Sequence, residues 1–158
     1  MDNLVQEGTI VTVVDPQSLS SAATAEWISM KNYDRVDFIL NVGAVTTGGN
    51  VKVREATNVS GSSAATLNFD HYWKCTATTD VFTKTSADSS SSANCITVGN
   101  SSDNKCWYVS IPASKLSDGF DCVTITMPSA FASAMTSCIA VCHKARYKSS
   151  APPTALTD

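Results

Sequence analysis

Trp27-Ile-Ser-Met-Lys-Asn-Tyr-Asp-Arg-Val-Asp-Phe-Ile-Leu-Asn-Val-Gly-Ala44, followed after a short turn by Val51-Lys-Val-Arg-Glu-Ala-Thr57 and then Ser60-Gly-Ser62, is the stretch on which the fold depends. Val36, Phe38 and Leu40 alternate with Asp37, Ile39 and Asn41. In the second run, Val51, Val53 and Glu55 alternate with Lys52, Arg54 and Ala56. A period of two is the mark of a strand that buries one face, so the stretch reads as two neighbouring β-strands joined by the turn Thr46-Thr-Gly-Gly-Asn50.

Working outward, Thr9-Ile-Val-Thr-Val-Val14 is a β-rich run that Asp15-Pro16 should stop, because proline donates no ladder hydrogen bond. Residues 1–8 read as an arm. Leu67 and Phe69 fall one step out of register with Tyr72 and Trp73, which calls for a bulge. Asp88-Ser-Ser-Ser-Ser92 is too hydrophilic for a core and reads as a loop. Cys95-Ile-Thr-Val-Gly99 and Lys105-Cys-Trp-Tyr-Val-Ser-Ile111 flank Asn100-Ser-Ser-Asp-Asn104, the signature of a hairpin, and Pro112 ends its second strand. Phe120 to Met127 is a further strand closed by Pro128. Residues 137–143 form the last strand, since a helix there would leave its predecessor unpaired at an edge. The Ser-, Ala- and Pro-rich residues 149–158 read as a flexible tail.

The chain is therefore expected to be all-β, a single sandwich or jelly roll over residues 9–148 with about eight or nine short antiparallel strands. At 158 residues it is long enough to bury a core without metal or cofactor. Charged residues make up only 16% of it, against about 25% in typical domains, with Ser, Thr and Ala in their place. That composition suits a surface packed against other proteins. A net charge of −3 without a Lys/Arg cluster excludes general attraction to nucleic acid. Nothing is apolar over the roughly 18 residues that a membrane helix requires, so no membrane partner is expected. The N-terminus has no basic start or apolar centre of a secretory leader, and Met1 is retained, which points to synthesis in a cytoplasm.

Catalysis finds no support. His71 and His143 are the two histidines, and neither lies in a nucleophile elbow, a zinc-protease motif or a cysteine-protease setting. Asp70 and His71 are adjacent in a strand and point to opposite faces, so they make no dyad. Cys138-x-x-x-Cys142-His143 is the one zinc-like spacing, but a strand cannot close a tetrahedron from it and no C-x-x-C accompanies it. No catalytic, cofactor or metal residue is assigned. Trp27, Trp73 and Trp107 are candidates for an aromatic sugar platform, with core packing the simpler reading of each.

Met30-Lys-Asn-Tyr33, Val36-Asp-Phe-Ile-Leu40, Gly43 and Val51-Lys-Val-Arg-Glu-Ala-Thr-Asn-Val-Ser60, together with Phe120-Asp-Cys-Val-Thr-Ile125 and Ala145-Arg-Tyr147, resemble a family of small head proteins of tailed bacteriophages, the capsid decoration or cement proteins. Ala145 stands where that family commonly has proline, and six cysteines are unusual for it. The resemblance implies a structural virion protein, made in the host cytoplasm and bound as a homotrimer to the major capsid protein on the outer surface of the expanded head. It implies no enzyme activity and no cofactor. Asp2, Asn3, Leu4 and Val5 of the arm, and Phe131, are the expected capsid contacts. A carbohydrate-binding module or adhesin, and a neck, collar or tail component, are the rival readings.

Cys75, Cys95, Cys106, Cys122, Cys138 and Cys142 are all disulfide candidates, because thiols made reduced can oxidise later on a released particle. Cys138 and Cys142 stand about 13 Å apart on one strand, too far to bond each other. Cys122 and Cys142 are candidates to face one another across the last two strands, and the fifteen possible connectivities stay open.

Overall fold

The computed structural model describes Leu4 and residues 8–19, 25–75, 81–88, 94–99, 105–128, 131, 134–145 and 154–157. These form eleven strands: β1 (Gly8–Ser18), β2 (Ile28–Ser29), β3 (Tyr33–Val42), β4 (Gly49–Ala56), β5 (Ala65–Thr66), β6 (His71–Cys75), β7 (Thr83–Ser86), β8 (Ile96–Val98), β9 (Lys105–Pro112), β10 (Cys122–Thr126) and β11 (Met135–Ala145). A 3-10 turn, Ala113–Lys115, follows β9. All strand pairs are antiparallel. One sheet has six strands in the order β1-β11-β3-β9-β6-β7. The other runs β2-β10-β4-β5, with β8 on the N-terminal half of β4. The protein is an all-β sandwich.

The alternation in β3 gives the core its centre. Val36, Phe38, Leu40 and Val42 are buried and point inward, alongside Trp107, Val109 and Ile111 of β9 and Cys138, Ala140 and Cys142 of β11. From the second sheet Val51 and Val53 of β4, Val123 and Ile125 of β10, and Ile28 of β2 close on them. β-Branched and aromatic residues dominate because they pack well on a pleated, half-buried surface. Glu55 shares the apolar face of β4 and is also buried. It is satisfied by Ser117, whose backbone N–H and hydroxyl donate to its carboxylate at 2.8 and 2.6 Å.

Three pairings differ from the sequence expectation. β3 and β4 form no hairpin but lie in opposite sheets, and residues 43–48 carry the chain across the sandwich. The Gly43 N–H donates to the Met135 carbonyl at 2.8 Å, and Val45 is buried on the way. Two strands with equally apolar inner faces bury more by facing each other than by lying side by side, and sheets packed about 10 Å apart are within reach of such a connection. β8 and β9 likewise separate, β8 to β4 and β9 between β3 and β6. The register slip between Phe69 and Tyr72 is a change of sheet rather than a bulge: the chain leaves β5, buries Leu67 and Phe69, and enters β6.

The ends differ too. β1 continues through Pro16 to Ser18, because it is an edge strand whose ladder to β11 shifts register between Thr12 and Val14 and again between Val14 and Gln17. The latter shift leaves Pro16 without a ladder bond to make. β11 covers the expected residues 137–143 and extends beyond them. Ala155, expected in a loose tail, is buried, and its carbonyl accepts the Ser29 N–H at 2.7 Å, so residues 154–157 dock beside β2.

The two faces of β3 predict opposite mutational outcomes. Phe38→Ala removes a fully buried ring from the core centre and should cost about 3–5 kcal/mol, whereas Ile39→Ala, one residue on and facing outward, should cost under about 1.5 kcal/mol. Urea denaturation of both variants measures this, and equal losses would contradict the assignment of faces.

Candidate functional site

The strand register that buries Val36, Phe38, Leu40 and Val42 of β3 turns Arg35, Asp37, Ile39 and Asn41 onto the outer face of the six-stranded sheet. Cross-strand neighbours then fall into rows. One row crosses all six strands: Thr12, Ile139, Ile39, Tyr108, Trp73 and Lys84. Its four central side chains are apolar or aromatic and only half-buried. Tyr108 and Trp73 meet edge to face with ring centres 5.4 Å apart, and His71 packs against Trp73 at 4.8 Å in the same manner. Exposed Phe82, just before β7, joins Trp73 and Tyr108 to line a shallow groove of about 290 Å³. Exposed Ile10 and Met135 widen the apolar area toward β1 and β11. The solvent side of an antiparallel sheet is ordinarily polar, so a continuous apolar row there makes this face the candidate contact surface.

The next row, Ile10, Val141, Asp37 and Ser110, holds a buried carboxylate at its centre. Asp37 is only 5% exposed. Ser110 donates to its Oδ1 at 2.6 Å, Arg35 Nε pairs with Oδ1 at 3.2 Å, and His143 Nε2 lies 2.8 Å from Oδ2. Burial, and after it the negative charge of Asp37, holds the Tyr108 phenol above its ordinary value. Serine, histidine and aspartate are thus together, but in an order unlike that of a hydrolase. Ser110 bonds the carboxylate directly and the imidazole meets the other oxygen, so no base lies between the hydroxyl and Asp37 to accept its proton. The cluster pins β3, β9 and β11 together beside the apolar row. Asp70, next to His71, pairs with Lys115 at 3.3 Å.

The residues singled out from sequence disperse. Trp107 is in the core, Trp27 sits against the Gly61 turn of the second sheet, and Trp73 alone of the three is on the outer face. Phe131, expected at the capsid, is fully buried; a bend in which the Phe131 N–H reaches the Pro128 carbonyl and Ala134 N–H the Phe131 carbonyl turns its ring into the core. Leu4 is exposed, and Asp2, Asn3 and Val5 lie outside the described residues. Asp37, Ser110, Ile39, Ile139 and Tyr108 were not anticipated as a surface. The one signal for them was a charged residue in the middle of an apolar strand.

No disulfide joins any of the six cysteines, all of which lie among the described residues. Cys122 and Cys142 are not cross-strand neighbours, since β10 and β11 belong to different sheets. Cys138 and Cys142 point into the core while His143 points out, which takes apart the zinc-like spacing. Among the described residues no three His, Cys, Asp or Glu side chains gather, and no helix is long and apolar enough to cross a membrane.

No family model matches the chain, and no curated protein matches its sequence. Among solved structures, its trace is similar to that in the crystal structure of the SPBc2 prophage-derived protein YomS, with 13% identity and a TM-score of 0.44 over 86% of this chain and 92% of that one. A likeness of that degree assigns no family.

The core thiols predict how the sandwich responds to alkali. Burial, with smaller contributions from Cys106 and Asp37 respectively, pushes Cys138 and Cys142 from about 9 up to about 12. The folded state therefore favours the protonated thiols, and this stabilisation is complete below pH 9 and lost as pH rises towards 12. The urea midpoint should fall over that window and fall less steeply in Cys138→Val/Cys142→Val. An unchanged slope in the double variant would place the alkaline sensitivity elsewhere.

Proposed function

We propose that this chain is a structural protein of a tailed bacteriophage virion, a capsid decoration protein whose six-stranded sheet supplies a protein-binding surface and performs no catalysis. The observation that carries the reading is the apolar row Ile139-Ile39-Tyr108-Trp73 laid across the outer face of a rigid sheet. Support also comes from the sequence resemblance to small phage head proteins and from a surface poor in charge. The partners in this reading are the major capsid protein and two further copies of the chain.

Such a protein needs no single strong contact. A trimer set over a three-fold position of the shell engages several capsid subunits at once, and each contact after the first is intramolecular. A protein that binds only the expanded lattice stabilises it by mass action against the pressure of packaged DNA. The low charge of the chain fits a surface covered in the assembled state. Rigidity of the face matters as well, because a surface already ordered in the free protein loses little conformational freedom when it docks.

A second reading rests on Trp73, which borders both the apolar groove and a neighbouring hollow lined by Asp70, His71, Ser110 and Lys115. An aromatic face beside hydrogen-bonding groups is the chemistry of a sugar site. The groove itself has almost no polar lining, which favours protein over glycan as its occupant.

Binding of the purified chain to undecorated expanded capsids tests the proposal. Ile39→Lys and Trp73→Ala, each first checked for unchanged melting temperature, should weaken binding by roughly 30-fold or more, the cost of losing an interface hot spot. Capsid binding unaffected by both variants would overturn the assignment of the surface. Binding to tails or soluble glycans in place of capsids would overturn the assignment of the partner.

A further inference from the structure

Cys75 closes β6 and Cys106 lies near the start of β9, and the antiparallel register sets the two directly opposite each other. Residues so paired point to the same face, with Cα atoms about 4.5–5.5 Å apart. That lies inside the 4.4–6.8 Å that a disulfide spans. None of the other four cysteines has this placement. Cys138 stands opposite Leu40 and Val14, Cys142 opposite Val36 and Thr9, Cys122 opposite Ala56 and Ser29, and Cys95 bridges to Asp88. We infer that Cys75 and Cys106 form a cross-strand dithiol, a redox modification site that low-molecular-weight disulfides convert to an intramolecular disulfide.

The two thiols differ in access, which sets the order of events. Cys106 is half-exposed and Cys75 is buried. Cys106 gives up its proton and its thiolate attacks one sulfur of oxidised glutathione. The glutathione S–S bond breaks, and the departing glutathione thiolate takes up a proton. Cys75 then loses its proton and attacks Cys106 Sγ, breaking the mixed disulfide and releasing the second glutathione as a thiol. Two protein thiols are oxidised to one disulfide, and one oxidised glutathione is reduced to two thiols. Burial, and then the neighbouring Cys75, raises the pKa of Cys106, so the first step is slow at neutral pH and quickens as pH rises.

The bond would close a loop containing residues 76–105 and fasten the outer ribbon of β6 and β7 to β9. It lies one row from the Trp73–Tyr108 contact, so it would also hold the aromatic end of the outer face in place. A chain made reduced would acquire this tie only after reaching oxidising surroundings.

Incubation of the purified full chain with oxidised glutathione, followed by peptide mapping under non-reducing conditions, tests the inference. Two of the six thiols should disappear, the linked peptides should contain Cys75 and Cys106, and the melting temperature should rise by roughly 5–10 °C, as expected for a loop of this length. Cys75→Ser should stop the reaction at a stable glutathione adduct on Cys106. Persistence of that adduct in the unsubstituted chain, a bond involving any other cysteine, or six thiols still free would each overturn it.

Discussion

Strict alternation along β3 is the constraint from which the rest of this molecule follows. The strand is bordered on both sides, by β11 and β9, so its backbone polar groups are satisfied in the ladder and only its side chains choose partners. Val36, Phe38, Leu40 and Val42 need a second sheet to cover them, which accounts for a sandwich rather than an open sheet. Asp37 and Ile39 are sent outward by the same geometry. A register slip of one residue would exchange the two sets and place a carboxylate in the core.

The outward set has two components with different roles. Asp37 is buried although it faces out, and Ser110, Arg35 and His143, from β9, β3 and β11, converge on it. Ion pairs at exposed sites contribute little, but a carboxylate this enclosed is costly to leave unpaired, so the cluster holds three strands in one register. Next to it, the row of Ile139, Ile39, Tyr108 and Trp73 forms a continuous apolar strip. Core packing fixes the sheet, the buried carboxylate fixes the face, and the face is what a partner would meet.

The strands themselves were largely legible in the sequence, because a period of two reports which side chains share a face. β3, β9 ending at Pro112, and β11 all lie where their patterns place them. Periodicity carries no information about which strand lies alongside, and that is where the reading departed from the structure. Val36–Leu40 and Val51–Val53 look like the arms of a hairpin, yet the apolar faces that suggested pairing drive the strands into opposite sheets. The outer row was invisible for the same reason: Thr12, Ile39, Trp73, Tyr108 and Ile139 are scattered along the chain and become neighbours only through register. Phe131 reads from sequence as part of a surface loop, whereas a turn after Pro128 delivers the ring to the core. Ala155 reads as part of a free tail because one backbone hydrogen bond to Ser29 leaves no trace in composition.

Hydroxyl-radical footprinting of the chain, free and assembled on purified phage heads, tests the role of the outer face most directly, since Trp73 and Tyr108 are both readily oxidised and half-exposed in the free protein. The account predicts that both side chains become protected on assembly while Trp107, already enclosed in the core, does not change. Trp73 and Tyr108 oxidised equally in the free and assembled states would contradict it.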